Sequence, residues 1–334
     1  MSADASTLAL LDQEAHAALD QWPLALSRVK LVKHRENAVY SVHCDRGRRY
    51  AVRLHRRGYH SDEALETELA WMADLRRSGL PVPDVVVTGA GGNFCRPAGP
   101  DGEERQIDLI EWLPGQPIGC SERGLAATGE VAARQMHALG AIMARMHDHA
   151  QSWPGLSGAR RHSWDAEGLA GTDPLWGRFW DLSHLSTDER DVLIAGRDRA
   201  RAQLDAFGMA EDRFGLIHAD LVPENVLADG DALSIIDFDD AGFGWHMFDM
   251  ATALVFTVEQ PRHDTIRQSL LTGYRTVRTL PAAHEAMLPL FLFLRATTYL
   301  GWMQTRPEME LPGEMVRQLV SRATRLCREY LGES

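Results

Sequence analysis

Residues 216–240 read LIHADLVPENVLADGDALSIIDFDD, and this stretch decides the fold of the chain. Short apolar runs flank a polar loop, and Asp-Gly-Asp at 229–231 turns the chain from one run toward the next, which ends at Asp237. Gly and Asp are residues that favour a tight turn between strands. The pattern predicts a small hairpin that presents Asp220, Asn225 and Asp237 on one edge.

These three side chains have the chemistry that phosphoryl transfer from a nucleotide requires. An aspartate takes or orients the proton of the attacking hydroxyl, while an asparagine oxygen and a second carboxylate hold Mg²⁺, a hard cation that takes oxygen ligands. His218, Asp220 and Asn225 have the His-x-Asp-x₄-Asn spacing of a kinase catalytic loop, and Asp237 follows after the hairpin. The alternative interpretation is a polar loop with a capping aspartate and a turn-forming asparagine.

The chain before this stretch predicts strands and one long helix. Residues 38–42 and 50–54 alternate as strands do, and a helix begins after Ser61 and ends at Gly79, with Glu68 on the margin of its apolar stripe. Further strands are predicted at 85–87 and 106–110. After Trp112 nearly every segment reads as helix, so we predict an α+β fold with a β-rich N-lobe over 1–112 and a mainly helical C-lobe over 113–334.

Composition excludes several classes of protein. Of 334 residues, 45% are hydrophobic and 25% charged, as in ordinary globular proteins. The 35 Lys+Arg against 47 Asp+Glu give a net charge of −12, which argues against a surface that grips nucleic acid. Only two of the 35 cations are lysines, Lys30 and Lys33, and both precede the first predicted strand.

The chain carries the signs of a cytoplasmic protein. Its four cysteines lie far apart without a C-x-x-C pair, as expected of reduced thiols. The first 20 residues lack the basic start of a signal peptide. The most apolar stretch, 288–303, is interrupted by Arg295 and falls short of the roughly 20 residues that a membrane span needs. We expect no membrane partner, and the sequence does not indicate an oligomeric state.

On these motifs the chain resembles the aminoglycoside phosphotransferase/choline kinase superfamily over about residues 36–249. Within it, the chain looks closest to the branch that contains type II homoserine kinases, hydroxylysine kinase and stress-response kinase A. The resemblance implies a bilobal protein-kinase-like fold that uses ATP and Mg²⁺. It also implies a role for each matching residue: Asp220 as catalytic base, Asn225 and Asp237 as magnesium ligands, His218 as a structural residue of the loop, and Asp249 as a structural carboxylate at a helix start.

The resemblance also assigns a nucleotide side. Arg53 stands where the family usually has a strand lysine, and Glu68 matches the helix acid that pairs with that lysine. Arginine can hold carboxylates and phosphates through its planar fork, but it is not interchangeable with lysine. An ordinary strand-to-helix ion pair is the alternative role. Adenine is expected on the backbone of Glu111 and Leu113, and the phosphates on Arg53 and the turn at 35–40.

Three further residues are candidates for binding the phosphate acceptor. Arg295 ends the apolar run 288–295, where a buried guanidinium needs either a carboxylate partner or a ligand. Asp239 and Trp245 follow the predicted metal ligand and could receive an amino-bearing acceptor, although an acidic side chain there could equally tune the field around magnesium. Residues 151–180 are rich in Trp, Gly and Pro and carry no readable role.

The sequence therefore predicts an enzyme that moves the γ-phosphoryl group of ATP to a hydroxyl of a small molecule. The expected acceptor is an amino alcohol, an amino acid or an aminoglycoside-like compound. Two alternatives stay open: a protein Ser/Thr kinase of the stress-response type, and a nucleotide-binding pseudokinase, which Arg53 in place of lysine suggests.

Overall fold

The computed structural model of the protein describes residues 5–34, 37–307 and 311–333. Within these residues the chain forms two compact units. Unit 1 comprises the described residues up to Gly115 together with Trp153–Arg160 and Ser234–Ile236. Unit 2 comprises Gln116–Ser152, Arg161–Leu233 and the described residues from Asp237 onward.

Unit 1 is built on a five-stranded antiparallel sheet with strand order β1-β2-β3-β5-β4. Its elements, in chain order, are α1 (Ala5–Ala18), β1 (Leu26–His34), β2 (Ala38–Cys44), β3 (Arg49–Leu54), α2 (Asp62–Arg77), β4 (Phe94–Cys95) and β5 (Ile107–Glu111). The predicted strand at 85–87 is reduced to a single bridge between Val85 and Ile110, so that prediction was wrong in extent.

Strands β2, β3 and β5 of the unit 1 sheet are mostly buried, whereas the residues of β1 are exposed or half-buried. Tyr50, Val52 and Leu54 of β3 join α1 in one core cluster, so by alternation Arg53 points to the opposite face. The α2 helix meets that face and begins as predicted: the Ser61 hydroxyl caps it by accepting the N–H of Ala64. This arrangement places a charged side chain of the central strand against a helix.

Unit 2 is mainly helical with short strands. Its elements are β6 (Gln116–Pro117), β7 (Gly119–Cys120), β8 (Gly124–Leu125), α3 (Gly129–Ser152), β9 (Ser163–Trp164), α4 (Ala166–Ala170), α5 (Thr187–Phe207), β10 (Phe214–Ile217), β11 (Val226–Asp229), β12 (Ala232–Ile235, which runs on into unit 1), β13 (Gly242–Trp245), α6 (His246–Leu254), α7 (His263–Arg275), α8 (Ala282–Glu285), α9 (Leu288–Gln304) and α10 (Gly313–Leu331). The strand orders are β10-β13-β9, β12-β11-β6 and β7-β8.

The α9 helix forms the centre of the unit 2 core. Of its 17 residues 13 are buried, including Arg295. By length and composition the segment Ala282–Gln304 could cross a membrane, but 72% of its most apolar window is buried inside the protein. This is how the core helix of a globular unit is packed.

Candidate active site

The predicted catalytic loop follows β10, and a carboxylate from α6 holds its backbone. Asp249 accepts the N–H of Ala219 on Oδ1 at 2.6 Å and the N–H of His218 on Oδ2 at 3.2 Å. Ala219 has φ +64°, a conformation that a non-glycine residue keeps only where its surroundings enforce it. The Thr252 hydroxyl adds a bond to the Ala219 carbonyl at 3.3 Å. These contacts fix the direction in which Asp220 leaves the loop.

A buried histidine supports that carboxylate in turn. His147 Nε2 lies 3.0 Å from Asp249 Oδ2, and His147 Nδ1 lies 3.0 Å from the hydroxyl of Tyr274. Burial lowers the pKa of His147 to about 3, so the ring is neutral and carries its proton on Nε2, facing the carboxylate. Burial raises the pKa of Asp249 to about 6, while the nearby His218 ring and the two backbone N–H groups favour its ionised form.

Asn225 lies beside Asp220 in an orientation that its partners determine. Its Nδ2 lies 2.9 Å from the backbone carbonyl of Asp220 and 2.8 Å from Asp220 Oδ2. A backbone carbonyl only accepts hydrogen bonds, so the amide nitrogen must be the atom that faces it. The amide oxygen of Asn225 is therefore turned away from Asp220, as a cation ligand would need.

Arg295 reaches Asp220 from α9. Its Nη2 donates to Asp220 Oδ1 at 2.6 Å and lies 3.0 Å from the hydroxyl of Tyr299, while Nη1 donates to Thr298 Oγ1 at 2.9 Å. The side chain is 0% exposed. Of the two interpretations from the sequence, the structure shows the ion pair, and the partner is the predicted catalytic residue itself.

Carboxylates accumulate around Asp220. Burial and the negative charges of Asp220, Asp239 and Asp237 raise the pKa of Asp240, and Arg295 opposes this shift. The four carboxylates must therefore lie close enough to interact electrostatically. Such an excess of negative charge favours a bound cation.

The donor set fits magnesium. The Asn225 oxygen and the Asp237 carboxylate are hard oxygen donors, and Mg²⁺ commonly binds through one or two protein groups, with phosphates and waters completing its shell. Across the described parts of the chain no group of three or more His, Cys, Asp or Glu side chains forms a closed metal cage.

The segment without a readable role supports this site. Arg161 donates to the backbone carbonyls of Asp239 and Ala241, while His162 Nε2 and Trp164 Nε1 each lie 3.0 Å from the carbonyl of Asp240. These side chains hold the backbone that follows Asp237. The sequence of 151–180 does not indicate this role, because the backbone that these side chains hold lies about 80 residues farther along the chain.

Farther along the same segment, Trp176 lies near the Asp220 ion pair. Its ring centroid lies 5.2 Å from the Arg295 guanidinium and 6.1 Å from the ring of Tyr299. Gly177, with φ +105°, and Gly301 of α9 let the two backbones approach closely at this point, because a Cβ on either residue would collide with the other segment.

Trp245 does not belong to this group. Its ring is 1% exposed, its indole N–H donates to the Gly208 carbonyl at 2.9 Å, and it packs against Phe214 and Phe291. The expectation that Trp245 binds the acceptor is therefore corrected: it is a core residue of unit 2. Its place after Asp237 in sequence suggested a site role, but the direction of β13 turns it into the core.

In unit 1, Arg53 lies between two buried carboxylates. Its Nε and Nη2 donate to the two oxygens of Asp108 at 2.9 and 2.8 Å, and its Nη1 lies 3.0 Å from Glu68 Oε1. The strand-to-helix pair with Glu68 is present as predicted, whereas Asp108 was missed. The available signal was a carboxylate in the apolar strand 106–110, and the register places it opposite Arg53.

His55 completes this buried group. Its Nε2 lies 2.6 Å from Asp108 Oδ2. Burial opposes ionisation of Asp108, but Arg53 and His55 outweigh burial and hold the pKa of that carboxyl below its usual range. Asp108 therefore stays ionised, and Arg53 binds it in a bidentate ion pair.

The predicted adenine contacts lie where β5 ends. The N–H of Glu111 donates to the Asp84 carbonyl at 2.8 Å, and its carboxylate meets Arg76 at 2.9 Å. The Glu111 N–H is thus occupied, and the Glu111 carbonyl and the Leu113 N–H stay the predicted adenine contacts. Arg35 and Glu36 of the predicted phosphate turn lie outside the described residues.

The chain is similar to known kinases in sequence and in fold. The model of the phosphotransferase enzyme family matches residues 28–289. A homoserine kinase of Beijerinckia indica is 31% identical over 66% of this chain and 63% of its own length. A microcompartment-associated aminopropanol kinase is 33% identical, with a TM-score of 0.80 over 98% of both chains.

An amicoumacin kinase solved with AMP-PNP, Ca²⁺ and Ami is 20% identical, with a TM-score of 0.75 over 98% of this chain and 94% of that one, and shows the shared fold. The chain thus has the bilobal, protein-kinase-like fold that the sequence predicted. The match of the family model and the likeness to the aminopropanol kinase confirm the resemblance read from the sequence. The chain belongs to the phosphotransferase enzyme family.

Proposed function

We propose that this protein transfers the γ-phosphoryl group of ATP to the hydroxyl of a small amino alcohol, with Asp220 as the base. The observation that carries the proposal is the geometry of Asp220, whose two carboxylate oxygens are held by Arg295 and Asn225. A carboxylate fixed in this way can accept the hydroxyl proton and aim the hydroxyl oxygen at the phosphorus. Positioning of this kind supplies most of the catalysis in phosphoryl transfer.

Asn225 and Asp237 would hold the magnesium ion. When bound, Mg²⁺ neutralises charge on the β- and γ-phosphate oxygens. Asn225 would present its amide oxygen to the cation, because its amide nitrogen is bonded to Asp220. Asp249 holds the backbone of the predicted catalytic loop through the N–H of Ala219. On the nucleotide side, Glu111 and Leu113 would bind adenine through their backbones. Arg53, whose guanidinium contacts Asp108 and Glu68, would act on the phosphates through its positive charge.

The surroundings of Asp220 favour a cationic acceptor. Burial raises the pKa of Tyr299, and Arg295 opposes that rise. The negative charges of Asp220, Glu224 and Asp240 raise it further, so the phenol lies near these three carboxylates. The carboxylates Asp220, Glu224 and Asp240 outnumber the Arg295 guanidinium beside this phenol, and aromatic faces also attract ammonium groups. The likeness to an aminopropanol kinase supports an acceptor of this class.

The test is ADP release with ATP, Mg²⁺ and a panel of acceptors: 1-amino-2-propanol, ethanolamine, homoserine, kanamycin and casein. We expect acceptor-dependent turnover with an amino alcohol, and its loss in Asp220→Asn. Asp231→Asn, an exposed carboxylate of the hairpin turn, is the matched control and should keep wild-type turnover. Turnover that survives Asp220→Asn would contradict the mechanism.

The panel also separates the alternatives. Phosphate on casein or on the chain itself, and on no small molecule, would indicate a protein kinase. An ATP-dependent rise in melting temperature without ADP release from any acceptor would indicate a pseudokinase. We further propose a cytoplasmic location, because all four cysteines are free thiols, as in a reducing compartment.

A further inference from the structure

We propose that Arg295 is a positioning residue of the phosphoryl-transfer reaction, which holds the Asp220 carboxylate in its reactive orientation from the side opposite Asn225. The inference rests on the proposed function, because it assigns Arg295 a task in that reaction. Its basis is the 2.6 Å contact between Arg295 Nη2 and Asp220 Oδ1, together with the 2.8 Å contact between Asn225 Nδ2 and Asp220 Oδ2.

The helix orients the guanidinium before it meets Asp220. Thr298 and Tyr299 lie one turn after Arg295 on α9, on the same side of the helix. Nη1 donates to Thr298 Oγ1, and the hydroxyl of Thr298 itself donates to the Arg295 carbonyl at 2.7 Å. Nη2 reaches both Tyr299 and Asp220. Because a guanidinium is planar and rigid, these contacts leave it one orientation.

Aromatic rings enclose the same group. The guanidinium carbon lies 5.2 Å from the ring centroid of Trp176, 4.7 Å from that of Tyr299 and 5.8 Å from that of Phe248. Such contacts attract a cation and exclude water from around it. The ion pair with Asp220 is therefore protected from solvent on the side of the arginine.

The contacts of Arg295 favour a role in the reaction over a role in stability alone. A buried ion pair is often no more stabilising than apolar side chains of the same volume, and α9 is otherwise apolar around this position. Among the described residues the Nε–H of Arg295 has no hydrogen-bond partner, which a pair selected for stability would avoid. The contacts with Thr298 and Tyr299 stay within α9, whereas the contact with Asp220 gives Arg295 a hold on the predicted base that an apolar residue could not reproduce.

Arg295 also supplies the positive charge that offsets the neighbouring carboxylates. Asp237, Asp239 and Asp240 all act on the same region as Asp220. Without Arg295, repulsion from these groups would turn the Asp220 carboxylate away from its position, against the hold of Asn225. The expected effect is on the rate of the chemical step more than on nucleotide binding.

The experiment compares full-length Arg295→Ala with the wild type in the amino-alcohol kinase assay. We expect kcat to fall about 100-fold while the KM for ATP changes less than about threefold. Guanidinium chloride at a concentration that leaves the wild type folded should restore kcat at least about tenfold, and an equal concentration of NaCl should not.

The control is Arg306→Met, which removes another buried arginine that contacts Trp302 and Thr305. It should lower the melting temperature and keep kcat. An Arg295→Ala kcat within about twofold of the wild type, or a loss that guanidinium cannot rescue, would overturn the inference. Should Arg295→Ala not fold, Arg295→Lys decides: a tenfold lower kcat supports the role, and an unchanged kcat refutes it. A wild type without turnover refutes the proposed function instead.

Discussion

Arg53 could either replace the family's usual strand lysine or serve as a structural ion pair, and the substitution Arg53→Lys distinguishes these two roles. If Arg53 merely replaces the usual strand lysine, the change should be neutral. In the structure, however, the guanidinium spans two carboxylates, with two bonds to Asp108 and one contact to Glu68. A single ammonium nitrogen cannot reproduce the two-armed contact with Asp108 while also holding Glu68. We therefore expect Arg53→Lys to destabilise unit 1.

The size of the effect follows from the contacts that are lost. Lysine keeps one of the three charge-assisted contacts and loses two, each with a net contribution of about 1.5–3 kcal/mol. His55 retains its contact with Asp108 and offsets part of the loss. We expect a decrease of about 3 kcal/mol in the free energy of unfolding, since the remaining carboxylates are fully buried. For a unit of this size that corresponds to a melting temperature lower by about 10 °C.

Thermal and urea unfolding, followed by circular dichroism, measure this prediction. Arg77→Lys is the matched control: its side chain is 70% exposed and pairs with Asp74, so we expect a cost below about 0.5 kcal/mol. Adding Asp108→Asn to Arg53→Lys removes the surplus carboxylate and should recover part of the stability. A melting temperature of Arg53→Lys within about 2 °C of the wild type, or a double variant less stable than the single one, would refute the reasoning.

Three further predictions concern unit 2. Asp249→Asn turns an NH₂ group toward the N–H of His218. We expect the free energy of unfolding to fall by about 1–3 kcal/mol in thermal unfolding, and kcat to fall in rapid-quench kinetics. Gly301→Ala places a Cβ 2.5 Å from the carbonyl oxygen of Gly177. We expect a higher KM for the acceptor in steady-state kinetics and a free energy of unfolding lower by about 1–3 kcal/mol. Asn225→Ala removes a proposed cation ligand and should raise the Mg²⁺ concentration for half-maximal activity about 10–100-fold in a magnesium titration. Unchanged values would contradict each prediction.

The sequence by itself determined the family, the fold class and the identity of the local motif. Within 216–240 short connections limit the distances between side chains, so the types and spacing of Asp220, Asn225 and Asp237 allow a role to be predicted for each, and these roles stay predictions. The pair of Arg53 and Glu68 was also predictable, because strand alternation and helix periodicity each restrict a side chain to one face. These are properties of local geometry, which sequence records directly.

Only the tertiary structure decided which distant residues complete each group. Asp220 and Arg295 are 75 residues apart, and Arg53 and Asp108 are 55 residues apart. No local pattern marks one carboxylate or arginine among many as the partner; strand register selects Asp108, and the path of α9 through the core selects Arg295. The same reason moved Trp245 from the predicted site into the core. Partner choice for a buried charge is a consequence of packing, and packing exists only once the chain has folded.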